Sequence, residues 1–213
     1  MHYPKFTSES VCSGHPEKIC DAISDSILDA TYEIDPLSRV AVETLITKDF
    51  VTIAGEVTTT AQLDYAALAR KTIKSLGYTD SHLGFTEHSQ IIVKLHTQSR
   101  EISQGVDVDG SGDQGMMFGY ACRQTPSFMP LPIQLAHDLT LGIDTARESQ
   151  TIPYLRPDGK AQVTIAYSKG VPTHLDSLVL AVPHREDIEL QELTHDLYTT
   201  VITPLLTQYG FKC

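Results

Sequence analysis

The chain has 213 residues, 41% of them hydrophobic and 20% charged, and a formal net charge of -11. That size can bury a sizeable core and fits two domains of about 100 residues each. The ordinary composition excludes disorder, and the acidic balance without a clustered basic surface excludes a nucleic-acid partner.

No apolar run is long enough to span a bilayer, and no membrane partner is expected. The N-terminal MHYPKFTSES has neither the cationic nor the apolar region of a secretion signal, so the chain reads as cytoplasmic. Cys12, Cys20, Cys122 and Cys213 are scattered without a CxxC pair, which argues against zinc and against a disulfide framework and leaves free thiols.

In chain order, Gly14-His15-Pro16-Glu17-Lys18 opens a helix with Pro16 at the first helical position, and Ile19, Ile23, Ile27, Ala30 and Ile34 share one face. Asp35-Pro36 closes it. Arg39 to Thr47 and Phe50 to Thr59 alternate as strands joined at Lys48-Asp49, a hairpin. A second helix runs from about Asp64 through Leu68, Ile73 and Leu76 and stops at Gly77, a normal residue after a helix end. Ser89 to Thr97 is a further strand.

The order then partly repeats. A helix is expected from Pro132 to about Glu148, a hairpin from Lys160 to Pro183 turning at Ser168-Lys169-Gly170, and a helix from Asp187 to about Gln208. The fold class is therefore α+β: two pseudo-repeated domains, each a mixed or antiparallel sheet with helices on one face, divided near residues 100 to 110.

Between the halves lies Asp109 to Tyr120, DGSGDQGMMFGY. Gly110, Gly112 and Gly115 surround Asp113 and Gln114 and let the backbone approach a ligand, and Met116, Met117, Phe118 and Tyr120 are expected to anchor the loop on a buried strand. A plain glycine-rich connection is the competing reading; the acid and amide held between glycines favour a ligand-facing loop.

Three other places carry candidate chemistry. His15, Glu17 and Lys18 lie in a first helical turn, where free N–H groups suit an anion and a carboxylate can hold a bridging cation, although acids are favourable there without any ligand. Glu43 and Glu56 interrupt apolar strands, so each faces water or has a partner. Gly55 beside Glu56 leaves room for an approach, and an amino group is the kind of ligand a carboxylate holds. Arg156-Pro157-Asp158-Gly159-Lys160 reads first as a turn, with two cations that could also contact phosphates.

FTSESVCSGHPEKICDAISD, AGEVTT, QSREISQGVD, GSGDQGMMFGYA and YLRPDGKAQVTIAY together resemble, in the same order, the signature segments of S-adenosylmethionine synthetase. The resemblance implies the family's N-terminal domain over residues 1–103 and its central domain over residues 104–213. It also implies methionine adenosyltransferase chemistry: methionine sulfur attacks C5′ of ATP and displaces the triphosphate, which is hydrolysed to phosphate and diphosphate. That displacement needs no enzyme nucleophile, in keeping with the lack of a Ser-His-Asp or Cys-His signature.

Residue by residue, the resemblance implies catalytic roles for His15 and Lys160, ATP contacts from His15, Asp158, Gly159 and Lys160, and methionine or adenosyl contacts from Glu56, Gln98 and Asp113. It implies Mg²⁺ at Glu17, K⁺ at Glu43, and a mobile gate over Gln98 to Val108. Glu17 departs from the aspartate usual in the family. The family's third, C-terminal domain has no counterpart here, so the chain is expected to need that domain or a second chain for activity, and to work as an oligomer. A catalytically silent regulatory or binding subunit is the alternative.

Overall fold

The computed structural model describes residues 5–99 and 114–211. The chain divides into two compact units, one within Met1–His15 and Tyr120–Cys213 and the other within Pro16–Gly119. The α+β class is observed.

The unit within residues 16–119 begins with α1, Pro16–Ile34, whose Ile19, Ile23 and Ile27 are buried at helical spacing. β2, Arg39–Thr47, and β3, Phe50–Thr58, form the expected hairpin, with Asp49 at φ 54° in its turn. Next comes α2, Tyr65–Ser75. Asp64 caps its start by accepting from the Ala67 N–H at 2.9 Å, and Gly77 at φ 97° ends it with Tyr78 N–H bonded to the Ile73 carbonyl. β4, Gln90–His96, then joins β3 in parallel, giving the mixed order β2-β3-β4. Val51 and Ile53 of β3 meet Ile23 and Ile73 of the helices in one core.

The other unit holds a strand the sequence did not announce. β1, Lys5–Val11, pairs antiparallel with β5, Lys160–Ser168, from Lys5↔Ala166 to Val11↔Lys160. β6, Val171–Ala181, completes the order β1-β5-β6. α3, Leu131–Glu148, packs Leu135, Leu139 and Ile143 against Val163 and Ile165 of β5.

The last expected helix is divided. α4, Leu190–Leu197, is followed by a π-helical turn, Tyr198–Ile202, and by α5, Thr203–Gln208. Pro204 is the reason: it has no N–H for the carbonyl four residues back, and its ring crowds that carbonyl. The ladder widens instead, with Thr203 N–H reaching Tyr198 O. The helix also starts later than Asp187, which is engaged by Arg185 at 2.9 Å.

One expectation fails outright. Met116, Met117, Phe118 and Tyr120 do not form a buried strand; Met117 and Phe118 are 87% and 89% exposed. A strand needs a ladder partner, and none pairs with this segment among the described residues. Residues 100–113, which include Asp113 and most of the expected gate, lie outside the described residues.

Candidate functional site

The phosphate-contact candidates meet within one unit. The connection leaving β1 and the turn entering β5 are hydrogen-bonded through their backbones: Cys12 N–H donates to Gly159 O at 2.8 Å and Gly14 N–H to Pro157 O at 3.2 Å. His15 N–H turns back to Cys12 O at 3.0 Å. This close approach explains both glycines. A Cβ on Gly14 would lie 2.4 Å from the Pro157 side chain, and one on Gly159 would lie 2.7 Å from Cys12 Sγ. His15 is half-buried, Asp158 accepts from Gly159 N–H at 2.7 Å, and Lys160 is exposed at the first position of β5. Arg156, by contrast, spends its Nε–H on His184 O at 3.0 Å, so of the two cations in this turn it is the structural one.

Sequence reasoning missed the polar strip beneath this platform. Ser13 N–H donates to Asp144 Oδ2 at 2.8 Å, and Asp144 faces Arg147 at 3.6 Å along α3. Ser10 bonds His137 at 2.7 Å and Thr140 at 3.1 Å. The signal available was His137, Thr140 and Asp144 at helical spacing along one face of α3. Cys12 is fully buried here, and burial first, then the carboxylates of Asp144 and Asp158, push its thiol up to about 12. It is a protonated core residue, not a nucleophile.

The methionine and cation candidates that are described lie in the other unit. Glu56, on β3, faces His96 of β4 directly in the parallel register, with Oε1 and Nε2 3.2 Å apart. The sequence offered no sign of this partner, because it could not reveal the parallel pairing. Gln98 follows two residues beyond β4 at the same end of the sheet, and its Oε1 is buried without a hydrogen-bond partner among the described residues. Gly55, expected to admit a ligand, admits the chain itself: at φ 138° it brings its α-carbon against the Ala41 carbonyl, which a Cβ would meet at 2.1 Å.

Glu17 is exposed in the first turn of α1, and Glu43 is exposed on β2 opposite Ala54. Among the described residues no group of three or more His, Cys, Asp or Glu side chains could hold a metal ion. One carboxylate at Glu17 fits Mg²⁺, which commonly takes one or two carboxylates together with phosphate oxygens and water. Glu43 alone does not enclose K⁺. Among the described residues no helix is long and apolar enough to cross a membrane.

These features define a two-unit α+β protein with a backbone-braced platform at the start of one sheet. Residues 4–100 match the S-adenosylmethionine synthetase N-terminal domain and residues 108–212 its central domain. The chain is 51% identical to S-adenosylmethionine synthase 1 of Rhodopseudomonas palustris (strain BisB18), covering 94% of this chain and 54% of that protein. It is 48% identical to S-adenosylmethionine synthase of Nocardioides sp. (strain ATCC BAA-499 / JS614), covering 96% and 56%. The chain belongs to the S-adenosylmethionine synthetase family, and it spans about half the length of the curated relatives it matches.

Proposed function

We propose that this chain supplies the N-terminal and central parts of an S-adenosylmethionine synthetase, forming S-adenosylmethionine, phosphate and diphosphate from ATP, L-methionine and water. The observation that carries this reading is the brace between the His15 connection and the Asp158-Gly159-Lys160 turn, two segments far apart in sequence that the resemblance assigns to the same ATP. On this reading His15 and Lys160 present N–H donors to the polyphosphate, and Asp158 and Gly159 hold the turn against ATP. The displaced triphosphate is the charge the site must stabilise, and donors carried on two backbone-braced segments need less reorganisation to do so.

Glu56 takes the methionine amino group, which replaces or shares the His96 contact; Gln98 and Asp113 contact the same substrate, and Gln98 to Val108 is its gate. Glu17 would hold Mg²⁺ and Glu43 would give one oxygen to K⁺. The cations supply charge neutralisation on the phosphates. Residues 1–103 and 104–213 correspond to the family's two domains, with β1 of the first pairing into the sheet of the second. The chain works in the cytoplasm as an oligomer, which light scattering at micromolar concentration reads directly.

The test measures S-adenosylmethionine from ATP and methionine with the pure chain and with a polypeptide carrying the family's C-terminal domain. Turnover is expected only for the pair, because missing phosphate contacts remove several kcal/mol of transition-state stabilisation. Turnover by the chain alone contradicts the need for a partner; none with either assigns the silent binding subunit.

A further inference from the structure

The connection from β1 into α1 carries four consecutive backbone N–H groups, and all four are taken. Cys12 donates to Gly159 O at 2.8 Å, Gly14 to Pro157 O at 3.2 Å and His15 to Cys12 O at 3.0 Å. The fourth, Ser13 N–H, is the one held by a side chain: it donates to Asp144 Oδ2 of α3 at 2.8 Å. A loop whose N–H groups are spent in this way offers no backbone nest to an anion. What it can offer a phosphate is the side chain it carries, His15, and the aim of that side chain depends on how firmly the backbone before it is held.

Three of these bonds run between backbone atoms, which most residue types could make. Asp144 is the exception, and the chemistry around it exceeds what a simple staple between helix and loop requires. Its other oxygen, Oδ1, is buried without a hydrogen-bond partner, and among the described residues the same holds for Ser13 Oγ and Arg147 Nε. Arg147 stands 3.6 Å from Asp144 Oδ1, and the two side chains are only 12% and 13% exposed. A carboxylate withdrawn this far from water is costly unless a cation accompanies it. With Arg147 beside it, α3 gives Ser13 an acceptor without placing an uncompensated negative charge beneath a seat for polyphosphate.

We infer that Asp144 is a positioning residue, which through Ser13 N–H fixes the connection that aims His15 at phosphate, while Arg147 balances its charge. The inference rests on the proposed role of His15 and names the residue of α3 on which that role depends.

The experiment uses the full chain and inorganic triphosphate as the probe, with NMR reading the His15 ring signals for binding and amide exchange at Ser13, Gly14 and His15 for order. Asp144→Ala is expected to accelerate exchange at these three amides about tenfold and to weaken triphosphate binding about fivefold, while β6 amides keep their protection. Asp144→Asn keeps an oxygen for Ser13 N–H and is expected to restore both, a rescue that a need for charge alone at this position does not allow. Asp144→Glu keeps the charge but shifts the acceptor by a methylene; it is expected to behave as Asp144→Ala, and it decides the matter if Asp144→Ala also loosens β6. Unchanged exchange at the three amides overturns the inference. Loosened amides with unchanged or tighter triphosphate binding also overturn it and leave the role of His15 standing, because Asp144 is then only a staple or a cover for Ser13 N–H. His15 signals that triphosphate does not move in the unaltered chain remove the role of His15 itself, and the inference with it.

Discussion

At the scale of single residues, the platform depends on two missing Cβ atoms. Gly14→Ala forces a Cβ against Pro157 backbone atoms at 2.5 Å, whereas Gly159→Ala meets the side-chain sulfur of Cys12 at 2.7 Å. Each is expected to destabilise the fold by about 1–3 kcal/mol, the usual overpacking range, with Gly14→Ala the worse because backbone cannot step aside. Adding Cys12→Ala should recover part of the Gly159→Ala loss and none of the Gly14→Ala loss; urea unfolding of the four variants checks the pattern. Cys12 also has a pH signature. Its thiol is raised from 9.0 to about 12 in the fold, so folded and unfolded chains are both protonated below pH 9. Above pH 9 the unfolded chain loses the proton first, and stability falls by about 1.4 kcal/mol per pH unit until the folded thiol titrates. Cys12→Ser should reduce the fall of the wild-type stability curve between pH 9 and 10, leaving the part due to Cys20, whose thiol burial also raises.

At the scale of elements, hydroxyl-to-carboxylate bonds tie the C-terminal helices down. Tyr154 donates to Asp196 of α4 at 2.6 Å, and Tyr209 donates to Asp138 of α3. Burial, reinforced by these carboxylates, raises both phenols. Tyr154→Phe leaves Asp196 without that donor and is expected to cost about 1.5–3 kcal/mol by chemical denaturation, the range for bonds to charged groups. Elements whose signals are local were legible: Pro16 and Gly77 bracket helices, and Lys48-Asp49 and Ser168-Lys169-Gly170 sit at the hairpin turns. Elements that depend on a distant partner were not. β1, KFTSESV, shows no apolar alternation, and it is a strand because β5 accepts it. The parallel placement of β4, and with it the Glu56–His96 contact, is set by the crossover through α2 and not by its own residues. Met116 to Phe118 misled because apolar character was read as burial. The platform was legible as two separate motifs; their joining was not, since it is made by backbone atoms that leave no trace in residue type beyond Gly14 and Gly159.

At the scale of the whole molecule, the N-terminal residues belong structurally with the C-terminal half. Removing residues 1–11 deletes β1 and exposes the β5 edge, so hydrogen exchange should accelerate across β5 and α3, whose Ser10 and Thr7 contacts disappear, while β2, β3 and β4 keep their protection. Equal acceleration in both sheets would show that the units do not respond separately. The same pairing, Lys5↔Ala166, also sets a timetable on the ribosome. Translation at about 5–20 residues per second leaves β1 without its partner for roughly ten to thirty seconds, long enough for the intervening α1–β4 segment to fold first. An apolar strand waiting that long would invite aggregation. The Lys5, Ser8, Glu9 and Ser10 side chains that hide β1 from a pattern search are the ones that keep a nascent strand soluble until its partner is made.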